Sequence, residues 1–244
     1  MQGETIDLEA LLERQSRTLT AAAHELKAPL SLIRMYAARL NEEGLSDAQR
    51  QQYHNRLLFT AEQMLHLSEG LIEGYRWGQG RLPLEPVNTT LICEETCHEL
   101  STAARELNQS LIFQSPRRAN IAVGHPLLLK NVLFNIIFNA LKHTPARTQI
   151  NVAVNRHAGQ ALVSVIDSGP GFEKHTIDRI NRAQHDRLQA ATARTGSGLG
   201  LAVARQLMQA MDGRLQLKRS PRGGYCLVTL RSSQQLTLVQ GVDG

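Results

Sequence analysis

The sequence predicts an α+β protein in which two long helices precede a mixed β-sheet that carries helices on one face. Apolar residues recur every three or four positions through the first third of the 244-residue chain, as they do on one face of a helix. After a break rich in Gly and Pro at 78–86, short alternating runs indicate strands separated by apolar-faced helices. Because 42% of the residues are apolar and only 4% are aromatic, the core must be mainly aliphatic.

The first two helices are predicted to form an antiparallel hairpin. The first helix is expected over 8–41, and its narrow apolar seam consists of Leu19, Ala22, Leu26, Leu30, Ile33, Ala37 and Leu40. Gly44 fits a C-cap, and Ser46 and Asp47 fit the start of a second helix over about 46–76, whose seam includes Leu57, Ala61, Met64, Leu65, Leu71, Ile72 and Tyr75. Two helices cannot bury two seams by themselves, so the pattern predicts a homodimer with a four-helix bundle.

The period of the pattern changes after the hairpin. Strands are expected at 88–92, 109–114, 119–123, 150–157, 161–167, 214–220 and 225–232, and helices at 93–107, 126–142 and 199–211. A polar stretch at about 173–195 carries no predicted element. The expected domains are a helical dimerisation domain at 1–77, a linker at 78–86, a mixed domain at 87–235 and a tail at 236–244.

Charge and composition exclude several classes of protein. The net charge is +5, but the Lys and Arg residues are scattered, so we expect no direct binding to nucleic acid. No apolar run reaches the roughly 18 residues of a membrane span, and the acidic, amphipathic start is unlike a signal peptide. We therefore expect a soluble, cytoplasmic chain, with a sensor or membrane segment upstream if the chain is part of a longer protein. Three cysteines argue against a disulfide framework, and Cys93 and Cys97 are expected to be small buried residues.

A histidine and a glutamate on the first helix form one candidate site. His24 falls between Ala22 and Leu26 and points away from the seam, and Glu25 is its neighbour. The carboxylate can orient one nitrogen of the imidazole ring or take its proton, which leaves the other nitrogen free to attack phosphorus. Taken alone, the pair is better explained as two ordinary surface residues.

Three asparagines form a second candidate site. Asn131, Asn135 and Asn139 recur every four residues and so share one face of a helix whose opposite face is Leu, Ile and Phe. Amide oxygens suit a hard cation such as Mg2+ that also holds phosphates, and Lys142 is placed to reach a phosphate as a point charge. The alternative is a polar face in contact with solvent.

Two glycine-rich turns are further candidates. Asp167 ends a predicted strand and is followed by Gly169 and Gly171. A carboxylate there can accept a hydrogen bond from an exocyclic amine such as that of adenine, and the glycines allow a ligand to approach the backbone closely. The sequence GSGLG at 196–200 runs directly into a helix, an arrangement suited to phosphates. Each pattern is weak evidence alone because short glycine patterns often occur by chance.

The order of these features resembles that of the sensor histidine kinases of bacterial two-component systems. HELKAPL at 24–30 is similar to the H box, NIIFNALKHT at 135–144 to the N box, DSGPGF at 167–172 to the first glycine box and GSGLGLAVA at 196–204 to the second. The resemblance runs from about residue 8 to about residue 232. It implies a helical phosphotransfer domain followed by a Bergerat-type ATP-binding sandwich. It also implies the use of ATP and Mg2+ and transfer of a phosphoryl group to an aspartate of a response regulator.

The resemblance implies roles for individual residues. His24 is the expected phosphoacceptor and Glu25 its acid or base partner, which makes the protein an autophosphorylating enzyme. Asn139 is the expected Mg2+ ligand, with Asn135 near it. The other expected nucleotide-binding residues are Lys142 and His143 at phosphate or ribose, Asp167, Gly169, Gly171 and Thr229 at the adenine, and Gly196, Gly198, Leu199 and Gly200 at the phosphates.

The chain departs from the family pattern at two places. Ala28 stands where many relatives carry Thr or Asn, and a methyl group cannot position a water, so we expect weak phosphatase activity toward the response regulator. Asn181 and Gln184 stand where relatives often carry two phenylalanines in the lid. A polar lid is expected to dock less firmly on the helical domain.

Two other functions fit parts of the pattern. An ATPase of the gyrase or mismatch-repair type would share the nucleotide motifs, but it gives no reason for a His-Glu pair on a bundle helix. A degenerate scaffold that binds nucleotide without turnover would agree with the altered lid. The intact His24, Asn139 and Asp167 oppose that reading.

Overall fold

The computed structural model describes residues 26–27, 29–78, 83–114, 116, 119–182, 199–220 and 223–233. The predictions for His24, Glu25, Ala28, Gln184, Gly196 and Gly198 lie outside these residues. Two compact units are present: among the described residues one contains 26–65 with Leu199, and the other contains the rest, from His66 onward. None of the helices in these ranges is both long and apolar enough to cross a membrane.

The first unit contains the predicted hairpin. Helix α1 covers 29–40, and α2 is Asp47–Gly78, of which the part up to Leu65 belongs to the first unit. Gly44 has a φ of +83°, which favours glycine. The Ser46 Oγ accepts from the backbone N–H of Gln49 at 3.3 Å, and the Gln49 side chain accepts from the Ser46 N–H at 3.0 Å. This reciprocal pair is a capping box and confirms the predicted start of the second helix.

The two helices run antiparallel and cover their apolar seam only in part. The rings of Tyr36 and Tyr53 lie 6.3 Å apart, and the Arg50 guanidinium donates to the Leu40 carbonyl at 3.0 Å. Ile33 of the predicted seam is half-buried. Leu30, from the same seam, is 49% exposed. One chain therefore leaves part of the seam in contact with solvent.

The second unit follows the predicted change of pattern. Its elements are β1 (Glu85–Asn88), α3 (Thr89–Glu106), β2 (Ser110–Gln114), β3 (Ile121–Gly124), α4 (Pro126–His143), β4 (Gln149–His157), β5 (Gln160–Ile166), α5 (Lys174–Arg182), α6 (Leu199–Ala210), β6 (Arg214–Ser220) and β7 (Gly223–Arg231). Five strands form a mixed sheet in the order β2-β4-β5-β7-β6, in which only the β2–β4 pair is parallel. Strands β1 and β3 form a separate antiparallel pair.

The core lies between one face of this sheet and the helices. Alternate strand residues such as Val152, Val163 and Val228 are buried, whereas their neighbours on the other face are only half-buried. Leu100 of α3 and Leu207 of α6 are among the buried residues that the helices contribute. The predicted α+β sandwich with helices on one face is confirmed.

The three cysteines lie in this core. Cys93 and Cys97 on α3 and Cys226 on β7 are all buried and free, as predicted for the first two. Burial raises the pKa of the Cys97 thiol to about 12. These thiols are therefore protonated at neutral pH and serve as small apolar side chains.

Two predictions about elements were wrong. Residues 88–92 are not a strand, because Asn88 ends β1 and its side chain caps α3 by accepting from the Leu91 N–H at 3.1 Å. The polar stretch that begins at about 173 contains helix α5. That helix was missed because it is short and because Ile180 is its one buried residue among mostly polar neighbours.

Candidate nucleotide-binding site

The asparagine face of α4 is buried. Asn131 is 1% exposed and Asn135 is 7% exposed, so the alternative of a solvated face is wrong for these two residues. The Asn135 side-chain nitrogen donates to the Asn131 carbonyl at 2.8 Å. Neither amide atom of the Asn131 side chain has a hydrogen-bond partner within the described parts of the chain. Buried amides without partners are unusual in folded proteins, and they are expected where a ligand supplies the missing bond.

The Asp167 carboxylate is fixed at the end of β5. Its Oδ1 accepts from the backbone N–H groups of Gly169 at 2.8 Å and Gly224 at 3.2 Å. The backbone of Asp167 also donates to the Gly224 carbonyl at 3.1 Å. The other oxygen, Oδ2, has no hydrogen bond from the described residues, although Asp167 is only 8% exposed. This oxygen is free to accept from a ligand.

Glycines bring the Asp167 turn close to the end of α4. A Cβ at Gly169 would lie 2.9 Å from the His143 carbonyl oxygen, which leaves no room for a side chain. A Cβ at Gly224 would lie 2.4 Å from the Asp167 Oδ2. Gly171 has a φ of +75°, in the left-handed region that favours glycine.

The start of α6 lies against the middle of α4. A Cβ at Gly200 would lie 3.0 Å from the Asn135 side-chain oxygen, so the absence of a side chain allows this approach. Asn135 and His143 are eight residues apart, about 12 Å along the helix axis. The candidate site therefore has two ends along α4. The Asp167 carboxylate lies near the last turn of the helix, and the Asn135 amide lies in its middle beside Gly200.

Two basic residues lie in the last turn of α4. Burial lowers the pKa of Lys142. Burial and the charge of Lys142 lower the pKa of His143, although the Asp167 carboxylate opposes that shift. The His143 imidazole is therefore expected to be neutral at pH 7, beside a cationic Lys142.

Comparison with protein families matches both parts of the chain. Residues 14–80 match the His Kinase A (phospho-acceptor) domain, and residues 124–235 match the histidine kinase-, DNA gyrase B-, and HSP90-like ATPase. The chain belongs to the sensor histidine kinases of two-component systems. The match to the phospho-acceptor domain distinguishes this sensor kinase from the alternative of a gyrase-type ATPase, which gives no reason for such a domain.

Known sensor kinases resemble this one along most of its length. It is 28% identical over 242 residues to the sensor protein SphS of Synechococcus elongatus, a match that covers 95% of this chain and 58% of SphS. It is 27% identical over 228 residues to the sensor protein kinase PmrB of Pseudomonas aeruginosa, covering 88% of this chain and 45% of PmrB. The chain thus spans about half the length of these relatives.

A solved structure has the same fold. The histidine kinase AdeS of Acinetobacter baumannii superposes with a TM-score of 0.57 at 17% identity, over 85% of this chain and 97% of the AdeS chain. At this level of identity the likeness concerns the fold alone. The ATPase match makes the second unit an ATP-binding domain.

The residues of the sensor kinase fit ATP and Mg2+. The unpartnered Asp167 Oδ2 suits the adenine amine, and the backbone N–H groups of Gly169 and Gly224 hold the carboxylate in place. The Asn135 amide, beside Gly200 at the start of α6, suits phosphates and a hard cation. When bound, Mg2+ would neutralise phosphate charge, and Asn139, which is half-buried on α4, would hold it with Asn135.

The structure places one expected adenine contact elsewhere. Thr229 pairs with Leu162 and Arg214, near the start of β5, whereas Asp167 follows the far end of that strand. Strand residues advance about 3.3 Å each, so five residues separate Thr229 from Gly224 by about 16 Å. The assignment of Thr229 to the adenine was wrong, because a threonine near the end of a strand can lie at either edge of the sheet.

Two glycines of the site were missed. Gly223 and Gly224 begin β7 and hold the Asp167 turn, since a Cβ at Gly223 would lie 2.2 Å from the Asp167 carbonyl oxygen. The signal was the PRGG sequence between two predicted strands, which we interpreted as an ordinary hairpin turn. The backbone of Leu199 begins α6 as expected, next to Gly200.

Proposed function

We propose that this chain is an ATP-dependent protein-histidine kinase that phosphorylates its own His24 and passes the phosphoryl group to an aspartate of a response regulator. The observation that carries the proposal is helix α4, which joins a hydrogen-bonded carboxylate at Asp167 to a buried, partly unpartnered asparagine face. A nucleotide has an adenine amine at one end and phosphates at the other, and these two ends of the site have the matching chemistry.

Each residue then has a defined task. The Asp167 Oδ2 accepts a hydrogen bond from the adenine amine, Lys142 contacts a phosphate and Asn139 ligates Mg2+. A nitrogen of the His24 ring attacks the γ-phosphorus as the bond to the β–γ bridging oxygen breaks, and ADP leaves. Glu25 orients the ring and accepts its proton.

The functional protein is proposed to be a homodimer that pairs two hairpins in a four-helix bundle. Support comes from apolar side chains that one chain leaves exposed, such as Leu30 and Leu65 of the predicted seams. The domains are proposed at 1–77, 78–86, 87–235 and 236–244. The partner is proposed to be the receiver domain of a response regulator.

The decisive experiment compares the wild type with His24→Gln. Incubation with labelled ATP should give an acid-labile, alkali-stable phosphoprotein in the wild type and none in the variant, while both bind a non-hydrolysable ATP analogue. His54→Gln is the matched control, because His54 is exposed on α2. Labelling that persists in His24→Gln would remove His24 from its role, and a wild type that binds nucleotide without labelling would be the degenerate scaffold.

The metal site is tested by Asn139→Ala. The variant should lose Mg2+-dependent nucleotide binding and autophosphorylation together, since phosphoryl transfer depends on neutralised phosphate charge. Asn155→Ala is the control, because Asn155 is an exposed asparagine on β4. Near-normal autophosphorylation by Asn139→Ala would contradict the assignment.

We also propose that the kinase is a weak phosphatase of its response regulator, because Ala28 offers no group to position a water. A well-positioned water lowers a barrier by several kcal/mol, so Ala28→Thr should speed decay of the phosphorylated regulator by roughly 10²-fold or more. Autophosphorylation should remain largely intact. Fast decay with the wild type would contradict the proposal.

A further inference from the structure

Helix α2 enters the second unit at His66, and its segment His66–Gly70, which we call the docking segment, packs within that unit. The His66 ring stacks on Phe134 of α4, with ring centroids 3.5 Å apart and planes 25° apart. One turn later, a Cβ at Gly70 would lie 3.0 Å from the Val203 Cγ1 and 3.6 Å from the Leu207 Cδ1. The docking segment therefore touches both α4 and α6.

These two helices are the ones that meet at the phosphate end of the site. Phe134 lies directly before Asn135 and three residues after Asn131, and it is buried. Helix α6 approaches the Asn135 side chain at Gly200, three residues before the Val203 that contacts the docking segment. A shift of the docking segment would therefore change the spacing of the groups proposed to hold phosphates.

A contact with Glu99 on α3 holds the His66 ring in this position. Its Nε2 lies 3.0 Å from one oxygen of Glu99 on α3, and the other oxygen lies 2.9 Å from the Lys130 ammonium on α4. Glu69 on α2 lies 3.6 Å from the Nδ1. Partial burial by itself would raise the pKa of the Glu99 carboxyl, but Lys130 and His66 outweigh it and lower that pKa. Glu99 is therefore ionised at neutral pH and keeps both bonds.

We propose that His66 is a positioning residue that sets the affinity of the ATP-binding domain for nucleotide by fixing α4 against α6. The proposal rests on the nucleotide binding in the proposed function. His66 acts through Phe134 and does not itself touch the nucleotide. Since the affected groups bind the ground state as well as the transition state, the effect should fall on nucleotide affinity and the KM for ATP, and little on the rate at saturating ATP.

The test uses the full chain and the Mg2+ complex of a non-hydrolysable ATP analogue. His66→Ala should weaken the affinity about tenfold, which corresponds to 1.4 kcal/mol, and leave the autophosphorylation rate at saturating ATP within about twofold of wild type. His66→Phe keeps an aromatic ring for stacking on Phe134 and should recover part of the affinity. His54→Ala, on an exposed part of the same helix, should leave affinity and rate unchanged.

Gly70→Val is an independent variant. Its side chain would meet Val203 and push the docking segment away from α6, so it should reproduce the loss of affinity while His66 is intact. If His66→Ala proves too unstable to purify, His66→Phe and Gly70→Val carry the test. A lowered melting temperature with unchanged affinity in these variants would show a purely structural contact and overturn the proposal.

The failures of the two proposals can be told apart. A wild type that binds the analogue but forms no phosphohistidine contradicts the kinase activity, and a tenfold weaker affinity in His66→Ala would still support the positioning role. Normal phosphohistidine formation with unchanged affinity in His66→Ala overturns the positioning role alone.

Discussion

The helical hairpin and the ATP-binding domain differ in how they bury their apolar side chains. Leu100 and Leu207 of the ATP-binding domain are fully buried by their own chain. In the hairpin, Leu30 and Met35 of α1 and Leu58 of α2 remain exposed, although the helices are well formed. A two-layer sandwich encloses a core by itself, whereas two antiparallel helices have no third surface to cover their seam. We therefore expect the ATP-binding domain to be stabilised by its own core, and the hairpin to depend on association with a second chain.

The largest effect on stability is expected in the core of the ATP-binding domain. Leu100→Ala should lower the free energy of unfolding by about 2–5 kcal/mol, because the lost side chain leaves a cavity. Leu91→Ala on the same helix is the control and should have a small effect, since Leu91 is 48% exposed. Unfolding of the ATP-binding domain in urea measures the free energy of unfolding of both variants. Equal effects of the two variants would show that α3 does not pack as described.

A substitution in the apolar seam of the hairpin should weaken the association of two chains and leave the stability of the ATP-binding domain unchanged. Leu30→Glu should convert the proposed dimer to a monomer, because a carboxylate would be placed in the apolar seam that the partner would cover. Arg34→Gln on the same helix changes the net charge by the same amount and should leave the dimer intact. Light scattering over a range of concentrations measures the mass. A Leu30→Glu chain that stays dimeric would place the interface elsewhere.

A smaller effect is expected at the outer edge of the sheet. The Asn181 amide donates to the Leu217 carbonyl and accepts from the Leu217 N–H, each at 2.8 Å, so α5 is fastened to edge strand β6. Asn181→Ala should cost about 1–3 kcal/mol and speed hydrogen exchange of the Leu217 amide. Asn155→Ala should do neither. Unchanged exchange at Leu217 would show that the two bonds contribute little.

The smallest effect is a dependence on pH at His143. Because the folded-state pKa of His143 is lowered, its neutral ring favours the folded state above the unfolded pKa of about 6.5. That contribution is lost as pH falls from about 6.5 through the lower folded-state pKa. The melting temperature should therefore fall less steeply between pH 7 and pH 5.5 in His143→Gln than in the wild type. Identical slopes would assign the pH dependence to other groups.

The motifs and most elements could be predicted because they depend on neighbours in the sequence. The capping box of Ser46 and Gln49 and the asparagine spacing on α4 follow from local geometry. The start of α3 was misplaced because the Thr-Thr-Leu-Ile run after Asn88 suits a strand, while the Asn88 cap selects a helix. Thr229 was misplaced because pairing in the sheet, and not the sequence of β7, decides which residues lie beside Asp167.

The sequence by itself determined the family and the helical hairpin, because both follow from short-range spacing. It also predicted the residues that we propose for the two ends of the nucleotide site. The tertiary structure alone decided that Asn131 is buried and that Asn181 fastens α5 to Leu217, 36 positions away. It also decided that His66 contacts Glu99, 33 positions away. Contacts of this kind form only when distant elements pack together, because burial and hydrogen bonding across a fold depend on what each side chain meets there.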